Sequence, residues 1–434
     1  MWLLDKMLKQ LIREGQLVVT DYDGKVYEYG PGGGGTVRVR LTDRGAALHI
    51  AKDPRMGAGE AYTDGRLVVE PPHDIRDFVL FIMGQANRFG GGALKPKGTL
   101  RRSIDKLAYK WEQNKRDRAS ANVVHHYGLT RQFYELFLDE DRQYSMGFYR
   151  DPGNSLERAQ IDKKALIAAK LRLGPTNPDG SPMRVLDIGC GWGGLGLFYN
   201  QHYGCEVLGV SLAPDQVKFA NERAEAAGVA DKVKFQLIDY RDVKGPFDRI
   251  SSVGMFEHVG ARHYDEYFAK TSDLLADDGV MLTHTIGRKG APGGDDPWSR
   301  KYIFPGHHLP AMSEMVAAME RTRWEVADVE VMRYHYAHTL AEWYRRVKLH
   351  EKEIVGLYDD RFFRMWQFYL VGAEQSFRGA GMVNFQVQSV KRRDAVPMTR
   401  DYIVHEAARI SAAEEAPEWH LDPKFRPRER EAAE

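Results

Sequence analysis

The sequence predicts an α/β fold in which a doubly wound, Rossmann-like parallel sheet follows a smaller α+β domain. Two observations lead to this fold class. Short apolar runs alternate with helical stretches after about residue 124, and a glycine-rich loop directly follows the first of these runs. The chain has 434 residues, of which 43% are hydrophobic, and a chain of this size can bury more than one core.

The smaller domain is predicted over residues 1–92 and begins with an amphipathic helix. Apolar residues recur there at helical spacing, namely Leu4, Met7, Leu8, Leu11 and Ile12. This helix either packs on the core or, together with Trp2, contacts a membrane surface. Extended runs predict strands at 17–20, 26–29, 36–41, 47–51 and 66–70, with a hairpin at Asp23-Gly24, and residues 74–89 predict a second helix.

Charge is balanced over the whole chain but biased in one segment. The 62 basic and 61 acidic residues nearly cancel, which argues against nucleic acid as a partner. Residues 93–123 predict a basic helical linker, because nine basic and three acidic residues lie between positions 95 and 118. The linker is either a solvated face or a contact for an anionic membrane surface. Residues 396–434 predict a charged tail.

The larger domain is predicted over residues 124–395, with strands at 184–188, 206–210, 234–238, 247–253 and 279–286. The first strand leads into the loop VLDIGCGWGG, where Gly189, Gly191 and Gly193 allow close backbone approach by a ligand. In a class I methyltransferase an acid beside this loop orients the amino-acid portion of S-adenosylmethionine, and Asp187 fits that position. The second and third strands end in further candidate cofactor contacts, which are Ser211, Leu212, Gln216, Asp239 and Tyr240.

Four further motifs make the prediction more specific. They are GMFEHVG at 254–260, HTIG at 284–287, KYIFPG at 301–306 and YAHTLAEWY at 336–344. With the glycine loop they resemble the cyclopropane-fatty-acyl-phospholipid synthase family, which includes the mycolic-acid cyclopropane synthases. The similarity extends over roughly residues 124–391.

The resemblance implies transfer of a methylene group from S-adenosylmethionine to the cis double bond of a phospholipid acyl chain, giving a cyclopropane. In that family a bound bicarbonate deprotonates the intermediate carbocation. The motifs assign its holders to Glu257, His284, the Ile286 backbone and Tyr336, and two cofactor contacts to Tyr144 and Ser145. The resemblance also implies that residues 1–92 bind lipid or have an accessory role. It further implies a homodimer and a cytoplasmic enzyme attached peripherally to the inner membrane.

Two departures from the family pattern bear on the product. Met146 stands where the family usually has a cysteine, so no thiol is available to the bicarbonate site. Residues 126–132 read HYGLTRQ where the family typically has HYDLGND. A methylene- or methyl-branched acyl chain is therefore the alternative product. Remoter alternatives are a small-molecule methyltransferase and a non-catalytic lipid-binding protein.

A metal site is not predicted. The pairs His125-His126 and His307-His308 have no accompanying acid or cysteine at ligand spacing. Cys190 and Cys205 are too few and too close to the predicted strands to suggest a disulfide framework.

Overall fold

The computed structural model describes residues 1–33, 35–89 and 129–416, and within them the strands form a four-stranded and a seven-stranded sheet. The predicted basic linker at 93–123, the pair His125-His126 and the first three residues of segment 126–132 lie outside the described residues. So does the predicted tail beyond residue 416.

The smaller sheet has the order β2-β1-β3-β4 and forms the N-terminal unit together with four helices. Strands β1 and β2 pair antiparallel around the turn at Asp23-Gly24, which confirms the predicted hairpin. Gly24 has a φ of 83°, a conformation that glycine adopts without strain. The elements are α1 Trp2–Leu11, β1 Gly15–Thr20, β2 Val26–Gly32, β3 Thr36–Leu41, α2 Ala46–Lys52, α3 Pro54–Thr63, β4 Leu67–Val69 and α4 Ile75–Phe89.

The strand predicted at 47–51 is wrong, because this segment forms helix α2. Alanine has the highest helix propensity, and helix α2 contains three alanines. Ala46, Ala47 and Ile50 are buried at a spacing that places them on one helical face. Packing of that face, rather than alternation, accounts for the apolar residues.

The larger sheet has the order β10-β11-β9-β8-β5-β6-β7. The five strands from β9 to β7 are parallel, as predicted, whereas β11 runs antiparallel to both of its neighbours. Strands β10 and β11 were not predicted from the sequence. The bounds are β5 Arg184–Ile188, β6 Glu206–Ser211, β7 Val233–Leu237, β8 Phe247–Val253, β9 Leu275–Arg288, β10 Glu325–Met332 and β11 Met382–Val390.

Helices cover both faces of this sheet. They are α5 Arg131–Glu135, α6 Leu156–Lys170, α7 Gly194–Tyr203, α8 Pro214–Ala226, α9 Tyr264–Leu274, α10 Pro297–Tyr302, α11 Met312–Arg321, α12 His335–Leu349, α13 Glu351–Leu357, α14 Asp360–Arg378 and α15 Asp401–Ala413. Helix α15 falls within the predicted tail and packs on α6 through buried Ile403 and Ile410. None of the described helices is long and apolar enough to cross a bilayer.

The N-terminal unit packs against helix α14 of the larger unit. Arg76 of α4 forms a 2.7 Å ion pair with Glu374, whose side chain is fully buried. The Tyr62 hydroxyl of α3 donates a hydrogen bond to Gln367 over 2.9 Å. Glu374 also pairs with Arg378 of its own helix at 2.7 Å, and the Arg76 contact adds an ionic link between the two units.

Candidate active site

The glycine-rich loop lies at the carboxyl end of β5 and leads directly into α7. Gly189, Gly191 and Gly193 have φ angles of 82°, 53° and 84°. Residues other than glycine rarely adopt such φ angles, so the conformation of the loop depends on all three glycines. A Cβ on Gly193 would lie 2.7 Å from the Ala220 Cβ, whereas Gly191 faces open space. Gly193 therefore serves helix packing, and Gly191 leaves room for a ligand.

Seven of the predicted cofactor residues line one cavity beyond the strand ends. They are Gly189, Gly191, Ser211, Leu212, Gln216, Asp239 and Tyr240. The carboxyl ends of β5, β6 and β7 meet at this edge of the sheet, where doubly wound folds bind ligands. The Asp239 carboxylate is bound by Arg241 at 2.5 Å, and the Tyr240 ring packs edge-to-face on Tyr267.

Asp187 and Gly193 lie behind this cavity rather than in its wall. The Asp187 carboxylate is 2% exposed and accepts a hydrogen bond from the Ser251 hydroxyl over 2.8 Å. Burial raises the pKa of Asp187 to about 6. The Asp187 carboxylate therefore faces the core, where its hydrogen bond to Ser251 links β5 to β8.

The other predicted site residues line a second, larger cavity of about 600 Å³. These residues are Tyr144, Ser145, Glu257, His284, Ile286 and Tyr336. Gly254 and His258 line both cavities, so the two are adjacent at the end of β8. A methyl donor in the first cavity would therefore face a substrate in the second.

Glu257 lies in a short 3-10 turn, Phe256–His258, directly after β8. Its Oε1 atom accepts a hydrogen bond from the Ile286 backbone N–H over 2.6 Å. Its Oε2 atom is buried without a hydrogen bond in the described part of the chain. Burial raises the pKa of Glu257 to about 7, so this side chain can accept or release a proton near neutral pH.

His284 is held from both sides by amides of β11, a strand that the sequence analysis missed. The Asn384 Nδ2 atom lies 2.9 Å from Nε2 of the ring, and the Gln386 Nε2 atom lies 3.1 Å from Nδ1. The ring is 1% exposed, and burial lowers its pKa to about 3. His284 is therefore neutral at physiological pH, and a side-chain amide lies beside each of its ring nitrogens.

Met146 is fully buried and packs in the same aromatic cluster as Tyr336 and Trp343. It also contributes to the wall of the larger cavity. The adjacent Gly147 N–H donates to the Thr339 hydroxyl of α12 over 3.0 Å. This bond fixes the backbone next to Met146.

The larger cavity continues into the N-terminal unit, and sequence reasoning did not anticipate this. Apolar side chains from α1, from β1, β3 and β4, and from α4 form that end of its wall, among them Leu8, Leu17, Val39, Leu67, Phe78 and Ile82. The alternation of apolar residues along these strands was the available signal. It showed which face is buried, but not that the face encloses a cavity.

The histidine pair at 307–308 takes two different roles. The His308 ring lies 3.3 Å from the Asp295 carboxylate and 3.5 Å from that of Glu314. His307 contributes to the wall of the larger cavity, and its Nδ1 atom is 2.5 Å from the Phe304 carbonyl oxygen. Within the residues that the structure describes, no group of His, Cys, Asp and Glu side chains is arranged to hold a metal ion.

The chain matches the family described as mycolic acid cyclopropane synthetase over residues 114–387. It is 36% identical over 285 residues to a probable fatty acid methyltransferase of Pseudomonas putida, covering 64% of this chain and 71% of that protein. It is 40% identical over 262 residues to the cyclopropane-fatty-acyl-phospholipid synthase of Escherichia coli, covering 60% of this chain and 65% of that enzyme. A mycolic acid cyclopropane synthase solved with SAH superposes with a TM-score of 0.57 and 29% identity, covering 62% of this chain and 97% of that one.

Proposed function

The chain belongs to the mycolic acid cyclopropane synthetase family and is an S-adenosylmethionine-dependent methyltransferase. From this premise we propose that it methylenates the cis double bond of an unsaturated acyl chain carried by a membrane phospholipid. The observation that carries the proposal is the junction at Gly254 and His258, where the cavity beside the glycine loop adjoins a long apolar cavity. An acyl chain fits the second cavity by its chemistry, because most of its wall is apolar.

The lining of the larger cavity suits the proposed reaction. An alkene that attacks a sulfonium methyl group becomes a carbocation, which needs a dry site with electron-rich neighbours. Aromatic rings of Trp298, Phe304, Tyr336 and Phe368 contribute to the wall. Their faces can stabilise the cation without reacting with it.

Proton removal then completes the reaction, and Glu257 is our candidate for the base. The alkene electrons form a bond to the methyl carbon as its bond to sulfur breaks. A C–H bond of that methyl next gives its proton to the Glu257 carboxylate, and its electrons close the three-membered ring. The raised pKa of Glu257, about 7, suits this role because a base works best near the operating pH.

The contacts around Glu257 leave a bicarbonate fewer partners than the resemblance implies. The Ile286 N–H already donates to Glu257, and both ring nitrogens of His284 already face amides. Met146 offers no thiol. We therefore propose that the Glu257 carboxylate, and not a bound anion, accepts the proton.

We further propose that the N-terminal unit admits lipid from a membrane surface. Helix α1 covers the apolar cavity with Leu4 and Leu8 on its inner face. On its outer face Trp2 is 73% and Leu3 is 43% exposed, beside the exposed cations Lys6 and Lys9. Apolar side chains flanked by lysines are typical of helices that lie in a membrane interface.

The test is incubation of the enzyme with labelled S-adenosylmethionine and vesicles of an unsaturated phospholipid, followed by mass analysis of the acyl chains. A gain of one methylene unit per modified chain supports the proposal. No gain on any lipid would overturn it. Soluble amines and phenols serve as the control substrates, because a small-molecule methyltransferase would modify them without vesicles.

A methylene- or methyl-branched product is the second candidate, and Met146 is the observation that favours it. Loss of the family cysteine alters the group beside the cation, which can change the carbon that loses its proton. Hydrogenation of the product separates an alkene, which is reduced readily, from a cyclopropane of equal mass.

A further inference from the structure

Helix α6 is almost wholly buried although it carries several charged side chains. Five of these charges have an ionic partner within the described residues, because Arg158 and Asp162 of this helix pair with each other. Glu157 pairs with Arg346 at 2.9 Å and Asp162 with Arg158 at 3.3 Å. Lys164 pairs with Asp141 at 2.8 Å and Lys170 with Glu330 at 2.5 Å.

Lys163 is the exception on this helix. Its side chain is fully buried, yet it has no ion pair with any residue that the structure describes. Its ammonium group donates to the Gln143 side-chain oxygen over 2.7 Å and to the Ser145 hydroxyl over 2.8 Å. A buried cation with only neutral partners is unfavourable unless a negative charge comes close.

Ser145 connects this cation to the larger cavity, which adjoins the cofactor cavity at Gly254 and His258. It lies in the cavity wall, and its backbone carbonyl accepts a hydrogen bond from Gln160, one turn before Lys163 on α6. Because the Ser145 oxygen accepts from Lys163, its own hydrogen is left to donate elsewhere. Among the described groups that hydrogen has no acceptor.

We propose that Lys163 is a positioning residue for the cofactor, which acts through Ser145 to bind the carboxylate of the amino-acid portion of S-adenosylmethionine. The carboxylate supplies both missing features, namely an acceptor for the Ser145 hydrogen and a negative charge near the buried ammonium. The cofactor's own ammonium group would instead be repelled by Lys163. This orientation places the carboxylate beside Ser145, on the side of the larger cavity that faces α6.

The surrounding charges are consistent with this arrangement. Asp139, Asp141 and Asp187 act on Lys163 electrostatically, but none lies within ion-pair distance of it. Burial lowers the pKa of Lys163 to about 7 in the ligand-free protein. A bound carboxylate favours the charged form, so cofactor binding at neutral pH is expected to draw a proton into the site.

The test compares the binding of two ligands, S-adenosylhomocysteine and 5′-methylthioadenosine, which lacks the amino-acid portion. In Lys163→Met the affinity for S-adenosylhomocysteine is expected to fall by about ten- to a hundredfold, the range for a hydrogen bond to a charged group. The affinity for methylthioadenosine should not change. Calorimetry measures both without lipid and without turnover, so the result is independent of the proposed lipid substrate.

Two further variants keep the proposal falsifiable. Lys163→Gln retains a donor for Ser145 and should lose less affinity than Lys163→Met, and it replaces that variant if methionine prevents folding. Lys170→Met is the matched control, because Lys170 is equally buried on the same helix but pairs with Glu330. Its ratio of the two affinities should equal that of the wild type. Equal losses for both ligands in the Lys163 variants, or no loss for S-adenosylhomocysteine, would overturn the proposal.

Discussion

The substitution Glu257→Gln separates the chemical role of this side chain from its structural role. The glutamine oxygen can still accept the Ile286 N–H bond, which spans 2.6 Å in the structure, so the local fold should persist. The amide cannot accept the proton that the carbocation must lose. Turnover is expected to fall by about a hundredfold to ten-thousandfold, the usual contribution of a general base. Affinity for S-adenosylhomocysteine should remain unchanged.

The same substitution should raise the stability of the folded protein at alkaline pH. Burial raises the pKa of Glu257 from 4.5 to about 7, so its ionised form is less favourable in the folded than in the unfolded state. That difference corresponds to about 3 kcal/mol. Below the unfolded pKa of 4.5 the side chain is protonated in both states, so the wild type has its full stability. As the pH rises from 4.5 to about 7, the folded wild type loses this free energy of unfolding. Glutamine does not ionise, so its advantage grows over this range and is constant above it.

Two measurements check this reasoning. Denaturant unfolding of both proteins at about pH 5 and about pH 8.5 gives the difference in stability, which should be larger at the higher pH. Turnover of the wild type should rise with pH through about 7, and the residual turnover of the variant should lack that ionisation. Added bicarbonate should not change the wild-type rate. A variant within a few-fold of wild-type turnover, or a rate that depends on bicarbonate, would refute Glu257 as the base.

Two other substitutions test the surroundings of the site. His284→Ala should destabilise the protein by about 2–4 kcal/mol, because it leaves the buried amides of Asn384 and Gln386 without their partner. Denaturant unfolding measures this change, and a loss of stability below about 1 kcal/mol would contradict the role of the ring as the partner of these amides. Replacement of both Trp2 and Leu3 by serine should weaken co-sedimentation with phospholipid vesicles and leave the affinity for S-adenosylhomocysteine intact. Unchanged vesicle binding would contradict a membrane role for α1.

The position of the cofactor cavity could be predicted from the sequence because it depends on strand order alone. Strands that run parallel bring their carboxyl ends to one edge, so residues after the first three strands had to converge. Gly189, Ser211 and Tyr240 do line a common cavity. The sequence could not separate residues that face the cavity from those behind it. Asp187 and Gly193 match the cofactor motif, but both lie toward the core. Asp187 bonds to Ser251, and Gly193 packs against Ala220.

The contacts that fix the catalytic candidates were beyond the sequence analysis. Asn384 and Gln386 reach His284 from about a hundred residues away, through an antiparallel strand that was not predicted. The segment Met382–Val390 alternates polar and apolar residues, which is typical of a strand with two different faces. Here both faces are buried, and the polar face binds His284 and Lys170. Alternation of this kind usually indicates one exposed face, so the buried hydrogen-bond network could not be predicted from it.

The identity of the product depends on which carbon faces Glu257 when the carbocation forms. Glu257 lies between Gly254 and His258 along the chain, the two residues that line both cavities. The transferred methyl group enters through this junction, so its hydrogens should be nearer to the carboxylate than those of the acyl chain. Met146 lies in the wall of the acyl cavity and has no proton to exchange. This geometry favours loss of a methyl proton.

Cofactor that carries a fully deuterated methyl group tests this geometry directly. Loss of a methyl proton leaves two deuterium atoms on the added carbon, whereas loss of a chain proton leaves three. We expect two in the wild type and also in Met146→Leu, which keeps a similar side-chain volume without sulfur. Met146→Cys restores the family residue and should give the same count, because the base is unchanged. Retention of three deuterium atoms in the wild type, converted to two by cysteine, would show that residue 146 rather than Glu257 determines which proton is lost.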